Sequence, residues 1–384
     1  MKITSIKAYR IDLRLPEPFS ISFKTFTHAE NILVVIKVDE ELTGLGECAP
    51  FKPITGDSRE DAELLIKVIS KKLLGKDPRE IEAIHKTIEE IEKDTGIHSQ
   101  TAKAAIDFAC YDLWGKSEKK PVYELLGVKT PNIVLTTLTI GIKPINETVK
   151  TAEKYMTLYK DAGLRRIKLK LSGNPEEDIK RVAAVADVFP GELTLDANQG
   201  YRDPEVAVKV LNEIFNTVGK RVMLIEEPCP KGDLEKMKYV SEKSEIPVFA
   251  DESAATFEDA SKVIEASAAK GINIKLQKAG GIYWASKIAE IANENNVLLM
   301  VGTMLESSIS VAAGANFVSG TPGIINADLD ADLYFSVNIV ESGTIPPFKY
   351  GSRLPSGLPG LGIKLAEWLA RIIKGDVNIA KITI

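Results

Sequence analysis

Eight short apolar strands alternate with amphipathic helices between about residues 138 and 329, at a pitch of roughly 25 residues. That repetition predicts an α/β chain built on a (β/α)8-type, or TIM, barrel. Residues before 127 run in a different order, strands first and helices after, which predicts a separate α+β unit. No GxGxxG or GxxxxGK[ST] follows any strand, so an open nucleotide-binding sheet has no positive support.

The elements follow from the chain in order. ITSIKAYRIDL and NILVVIKVDEE alternate as two strands of a meander, with PFSISFKTFTHAE between them. ELTGLGECAP adds a third strand, ended by Pro50, and FKPITGDS reads as a loop on its proline and glycine. From Arg59 to about Gly127, apolar residues recur at three- and four-residue steps, as in IEAIHKTIEEIEK, and predict helices. The eight barrel strands are TLTIGI, RRIKLKL, ELTLDA, VMLIEEP, PVFADES, INIKLQ, NVLLMVG and GIINADL. The tail holds a Pro/Gly-rich stretch, IPPFKYGSRLPSGLPGLG, then a helical LAEWLARIIKG and a strand-like NIAKITI. The expected division is 1–127, 128–334 and 335–384.

Composition excludes several classes. The 384 residues are 44% hydrophobic and 27% charged, the range of a globular chain with a large core. A net charge of -5 and a pI near 5.6 give no basic field for nucleic acid. No run approaches the ~18 apolar residues of a membrane span, and the N-terminus lacks the apolar core of a secretory signal. Cys48, Cys110 and Cys229 form no CxxC pair, which argues against a disulfide framework or a zinc site. A soluble cytoplasmic protein is expected, with a homo-oligomer possible in principle.

Barrel chemistry sits at the C-terminal ends of the strands. Read in order, those ends carry Lys168 and Lys170 on the second strand, then Asp196 and Asn198, then Glu226. Asp251 and Glu252 follow the fifth strand, Lys275 lies on the sixth, Glu306 follows the seventh, and Asp328 and Asp330 lie at the eighth. Each alone also reads as a solvated rim residue, and each acid as a helix N-cap. Together they read differently. Alternation puts Lys168 and Lys170 on one face. Asp196, Glu226 and Asp251 come from successive strands, and three adjacent carboxylates call for a hard divalent cation such as Mg²⁺. Lys275 lies across the barrel from the other two lysines. A carboxylate bound to such a cation has an acidified α-proton, which one lysine can remove and the other return, inverting the carbon.

The motifs KLKLSG, LDANQGY, IEEPCP, FADES and IKLQKAGG, in this order and spacing, resemble the enolase superfamily in its muconate-lactonizing-enzyme subgroup. Lysine bases working with Mg²⁺ on an enediolate are known chemistry of that superfamily. The resemblance implies a capping domain, a modified (β/α)7β barrel and a C-terminal segment that returns to the cap. It implies Asp196, Glu226 and Asp251 as ligands of one Mg²⁺, Lys170 and Lys275 as acid/bases, and Lys168 as a stabiliser of the enediolate. Asn198 and Glu252 would support the ligands; Glu306, read from its place after the seventh strand and not from the resemblance, has a supporting or structural part as readily as a catalytic one. The subgroup runs cycloisomerisation, dehydration to o-succinylbenzoate, N-acylamino acid racemisation and dipeptide epimerisation. The Asp328–Leu–Asp330 pair, with APFKPITGDS and GTMLES, resembles the dipeptide epimerases, in which such a pair binds the substrate's free amine. L-Ala-D/L-Glu is the default substrate on that resemblance. Lys24 stands where those enzymes use an arginine against the substrate glutamate, and lacks its bidentate fork. Thr139 matches a substrate-contacting threonine. The rivals are o-succinylbenzoate synthase or N-acylamino acid racemase, and a non-catalytic barrel around a divalent ion. The histidines His28, His85 and His98 all precede the barrel.

Overall fold

The structure, a computed structural model, describes residues 1–39, 41–344, 349–374 and 381–383. The chain begins with a long hairpin, β1 (Ile3–Ile21) and β2 (Lys24–Val38), followed by β3 (Thr43–Cys48). The segment expected between two strands is therefore strand itself: Phe19 pairs with Phe26, and the turn falls at 22–23. Helices α1 (Lys52–Thr55), α2 (Arg59–Lys72), α3 (Ile81–Thr95), α4 (Gln100–Glu118) and α5 (Val122–Leu125) complete this part. The α1 turn lies within the expected loop. Pro53 sits in its first turn, where no N–H is needed, and Gly56 ends it at a φ of 85°.

The barrel strands are β4 (Thr137–Ile140), β5 (Arg166–Lys170), β6 (Glu192–Asp196), β7 (Val222–Glu226), β8 (Val248–Ala250), β9 (Gly271–Lys275), β10 (Leu298–Gly302) and β11 (Ile324–Ala327). Between them run α6 (Ile145–Tyr159), α7 (Pro175–Val188), α8 (Pro204–Val218), α9 (Leu234–Lys243), α10 (Phe257–Glu265), α11 (Leu276–Ala279) with α12 (Ile282–Glu294), and α13 (Ser308–Gly320). All eight predicted strands are present, parallel and in sequential order. A bridge between Thr136 and Ala327 joins the last strand to the first. Between β11 and the next strand stands a 3-10 turn (Ala331–Tyr334) in place of an eighth barrel helix, so the architecture is (β/α)7β.

After β12 (Val340–Ser342) and β13 (Lys364–Leu365), α14 (Glu367–Lys374) packs Leu369, Ile372 and Ile373 against Ile11, Leu33 and Leu45 of the first sheet. The final β14 (Lys381–Thr383) adds to β1 in parallel. Parts of the predicted tail, 345–348 and 375–380, lie outside the described residues. Among those described, no helix is long and apolar enough to cross a membrane.

The first unit is pinned over the barrel mouth. Glu47 of β3 accepts from the backbone and hydroxyl of both Ser307 and Ser310, at the N-terminus of α13. A carboxylate there satisfies helix N–H groups that have no partner within the helix. Gln277 bridges to Ala49 N–H and Glu47 C=O. At the hairpin tip, Ser22 donates to Asn198 C=O at 2.8 Å, and Ser20 C=O accepts from Ile142 N–H at 2.9 Å.

Candidate active site

The site follows from register. Lys170 pairs with Asp196 across β5 and β6, and Asp196 with Glu226 across β6 and β7, so three ionisable residues stand side by side at one level. Asp251 follows β8 immediately. Ile167 and Leu169 alternate with Lys168 and Lys170 and belong to the main apolar core, which leaves the lysines to face inward. On the far side, Gly302 ends β10 beside Lys275; a Cβ there would lie 2.8 Å from the Asn273 side chain and 3.0 Å from the Lys275 Cε. The missing side chain gives Lys275 its room.

Asp196, Glu226 and Asp251 are buried and offer carboxylate oxygens that all lie within 4.8 Å of one another. Lys168 Nζ donates to Glu226 Oε2 and Asp328 Oδ2, both at 2.7 Å, and lies 3.1 Å from Asp196. Lys170 Nζ lies 2.5 Å from Asp196 Oδ2, and Lys275 Nζ 2.7 Å from Asp251 Oδ2. Burial raises Glu226 to about 8, aided by Asp196 and opposed by Lys168. Burial also works against ionised Asp196, but Lys170 and Lys168 overcome it and hold that carboxyl at about 2. Asp251 is likewise held well below the carboxylate range, by Lys275 and Lys278.

A divalent cation fits this donor set. Glu226 Oε1 is buried yet has no hydrogen-bond partner among the described residues, which is costly unless a ligand meets it. Three carboxylates at such spacing suit a hard, oxygen-seeking ion. The three acids do not act as side-chain caps: Asp251 opens a 3-10 turn without capping it.

Asp328 and Asp330 both line the cleft above these groups and are 3% exposed. They differ in partners. Asp328 already holds Lys168 and also accepts from Thr137 Oγ1. Asp330 accepts from Thr139 N–H and Tyr334 O–H, each at 2.6 Å, and forms no ion pair among the described residues. Burial and then the charge of Asp328 raise its carboxyl. Asp328 thus already meets a cation, Lys168, while Asp330 meets neutral donors.

The other predicted residues fall as follows. Asn198 bridges Asp196 Oδ1, through its N–H, and Glu252 Oε1, through its amide, at 2.9 and 3.2 Å. Thr139, Asn198 and Glu252 line the cleft. Glu306 does not; it is buried behind it, accepting from Met304 N–H, with burial and Glu47 raising it to about 8. Lys24 stands at the outer rim of the cleft. It is exposed at the hairpin turn, its ammonium 4.5 Å from the Phe51 ring and 4.9 Å from the Phe26 ring, and those two rings line the cleft.

Several participants escaped the sequence reading. Lys278, fully buried, sits 2.5 Å from Asp251 Oδ1 and also meets its C=O. Asn273 donates to Glu226 Oε2 at 2.8 Å. Glu227 accepts from Asp251 N–H and from Ser253. Alternation could have flagged Asn273, two residues before Lys275, and Thr137, two before Thr139. Lys278 and Tyr334 lie beyond the strands, where no periodicity singles them out.

Residues 5–127 match the family described as mandelate racemase / muconate lactonizing enzyme, N-terminal domain, and residues 150–368 match the enolase C-terminal domain-like family. An L-Ala-D/L-Glu epimerase of Bacillus subtilis is 34% identical, over 94% of this chain and 97% of that one. An N-succinyl-L-Arg/Lys racemase of Bacillus cereus is 31% identical, over 96% of each. A crystal structure of a dipeptide epimerase from Enterococcus faecalis, complexed with Mg and the dipeptide L-Leu-L-Tyr, superposes with a TM-score of 0.88 at 33% identity, covering 95% of this chain and 100% of that one. With its barrel, its strand-end acids and lysines, and relatives that are epimerases and racemases, this chain belongs to the mandelate racemase / muconate lactonizing enzyme family of the enolase superfamily and is an isomerase.

Proposed function

We propose that this isomerase is a Mg²⁺-dependent dipeptide epimerase that inverts the α-carbon of the C-terminal residue by proton transfer between two lysines. The observation that carries the proposal is the pair Lys170 and Lys275. They end β5 and β9, four strands apart in an eight-stranded barrel, and so face each other across the acid cluster. Asp196, Glu226 and Asp251 would hold the ion. When bound, a divalent cation neutralises these acids and stabilises negative charge on the substrate carboxylate. Lys168 donates to that same end. Lys170 or Lys275 takes the α-proton from one face, and the other lysine delivers a proton to the opposite face, so configuration inverts. The buried, cation-free Asp330 supports a substrate with a free ammonium group. L-Ala-D/L-Glu, the substrate expected from the resemblance, is one member of this class.

Asn198 and Glu252 hold the acid cluster in place in this reading, and Thr139 orients Asp330. We also assign 1–127 to the cap, 128–334 to the catalytic barrel and 335–384 to a segment returning to the cap; the β14–β1 pairing supports this. The three buried free thiols fit a reducing, cytoplasmic setting.

The test is incubation with free L,L-dipeptides in D₂O with Mg²⁺. Deuterium should enter only the C-terminal α-position, and the L,D epimer should accumulate. Exchange with N-acylated amino acids alone would move the chain to the racemase reading, and exchange with neither would refute two-base chemistry.

A further inference from the structure

We infer that the inverted residue carries an apolar side chain, so that the substrate class is dipeptides ending in a hydrophobic residue. This rests on the epimerase reading above and narrows it. The α-carbon has four directions to fill. Its carboxylate goes to the acid cluster, and its hydrogen lies on the line between Lys170 and Lys275. Its nitrogen leads back along the dipeptide to the amine at Asp330. The remaining direction, out of the barrel, meets the cap and the loop after β10.

That wall is apolar. Ile21, Phe26, Phe51, Ile54, Met304 and Leu305 line it. It is also braced. The Phe26 and Phe51 rings pack edge to face at 5.0 Å. Asn31 donates to Leu305 C=O at 3.0 Å, and Ala49 N–H to Gln277 at 3.1 Å. The cleft's basic residues among those described are Lys168, Lys170 and Lys275, all at its floor and all within 2.7 Å of a carboxylate. Lys24, exposed at the outer rim, holds its ammonium 4.5 Å from the Phe51 ring and 4.9 Å from the Phe26 ring. The remaining charges of the lining, Glu252, Asp328 and Asp330, are acidic. A substrate glutamate would thus lose water against this wall with only the exposed Lys24 at its outer rim to meet, whereas a leucine or phenylalanine gains burial.

The test compares L-Ala-L-Leu, L-Ala-L-Phe and L-Ala-L-Glu with the Mg²⁺-loaded wild-type enzyme, reading initial α-deuterium incorporation in D₂O. The apolar substrates should lead by roughly ten- to hundred-fold in kcat/KM, the worth of burying one such side chain. Ile54→Arg, which places a cation in the wall, should shift the ratio toward glutamate; the wild-type comparison decides if that variant fails to fold. Glutamate turned over as well as or better than leucine would overturn the apolar class and leave the epimerase standing. Exchange of N-acylated amino acids but no free dipeptide would overturn the epimerase reading and this inference with it.

Discussion

Asp330→Asn isolates the amine-binding step, because the two acids at the barrel mouth have different partners. Asparagine keeps the shape, and its Oδ1 can still accept from Thr139 N–H and Tyr334 O–H. The charge is removed, and the amide nitrogen takes the place of the carboxylate oxygen that carries neither of these bonds. A buried charge pair deprived of one member costs roughly 2–5 kcal/mol. Coulomb's law at ~4 Å and an effective dielectric near 20 gives about 4 kcal/mol, within that range. One feature favours the lower half: burial already makes ionised Asp330 expensive. The expected loss in kcat/KM for a free dipeptide is therefore ~30- to 300-fold at 1.36 kcal/mol per decade. The N-acetylated dipeptide, poor with the wild type, should change little, so the gap between the two narrows. Asp328→Asn should behave differently. It strips Lys168 of one of its carboxylates and should slow free and capped substrates alike. The assay is initial α-deuterium incorporation for both substrates with all three proteins. Equal slowing of free and capped dipeptide by Asp330→Asn would refute the assignment of that residue to the ammonium.

Three further outcomes are expected. Lys170→Ala and Lys275→Ala should each lower epimerisation by at least ~10²-fold while one substrate enantiomer still exchanges its α-proton; near-normal turnover in both directions would end the two-base mechanism. Chelator should abolish activity and Mg²⁺ restore it, and Glu226→Gln should weaken Mg²⁺ binding in calorimetry; full activity in chelator would contradict the metal assignment. Glu306 is raised from 4.5 to about 8, first by burial and then by Glu47. The folded protein thus holds its proton more tightly than the unfolded chain. This group's stabilisation is complete below about pH 4.5 and is lost as pH rises through 8. Glu306→Gln should remove that slope and be more stable than wild type at pH 9 by roughly 2–5 kcal/mol; denaturant melts at pH 6 and pH 9 with no change in the difference would show that Glu306 is not buried as a proton-holding group.

The sequence alone determined the barrel and most of the charged groups at its mouth, because both depend on short-range rules. A strand of five residues buried on both faces reads as an apolar run, and a charged residue ending such a run has few positions other than the barrel mouth. Asp196, Glu226, Lys168, Lys170 and Lys275 were legible for that reason. Alternation also placed Asp328 and Asp330 together. What alternation could not supply was the partner of each charge. Asp328 meets Lys168 across 160 residues of chain because the barrel closes and brings β11 beside β4 and β5. Lys278 reaches Asp251 from the short helix α11, where no strand period applies. Lys24 occupies the position where a resemblance predicts a carboxylate binder, and only the folded hairpin shows its ammonium resting over two aromatic rings at the rim of the cleft. Motif and period fix which groups stand at the mouth. Closure of the sheet and docking of the hairpin decide which charges are neutralised, and so what chemistry remains for the substrate.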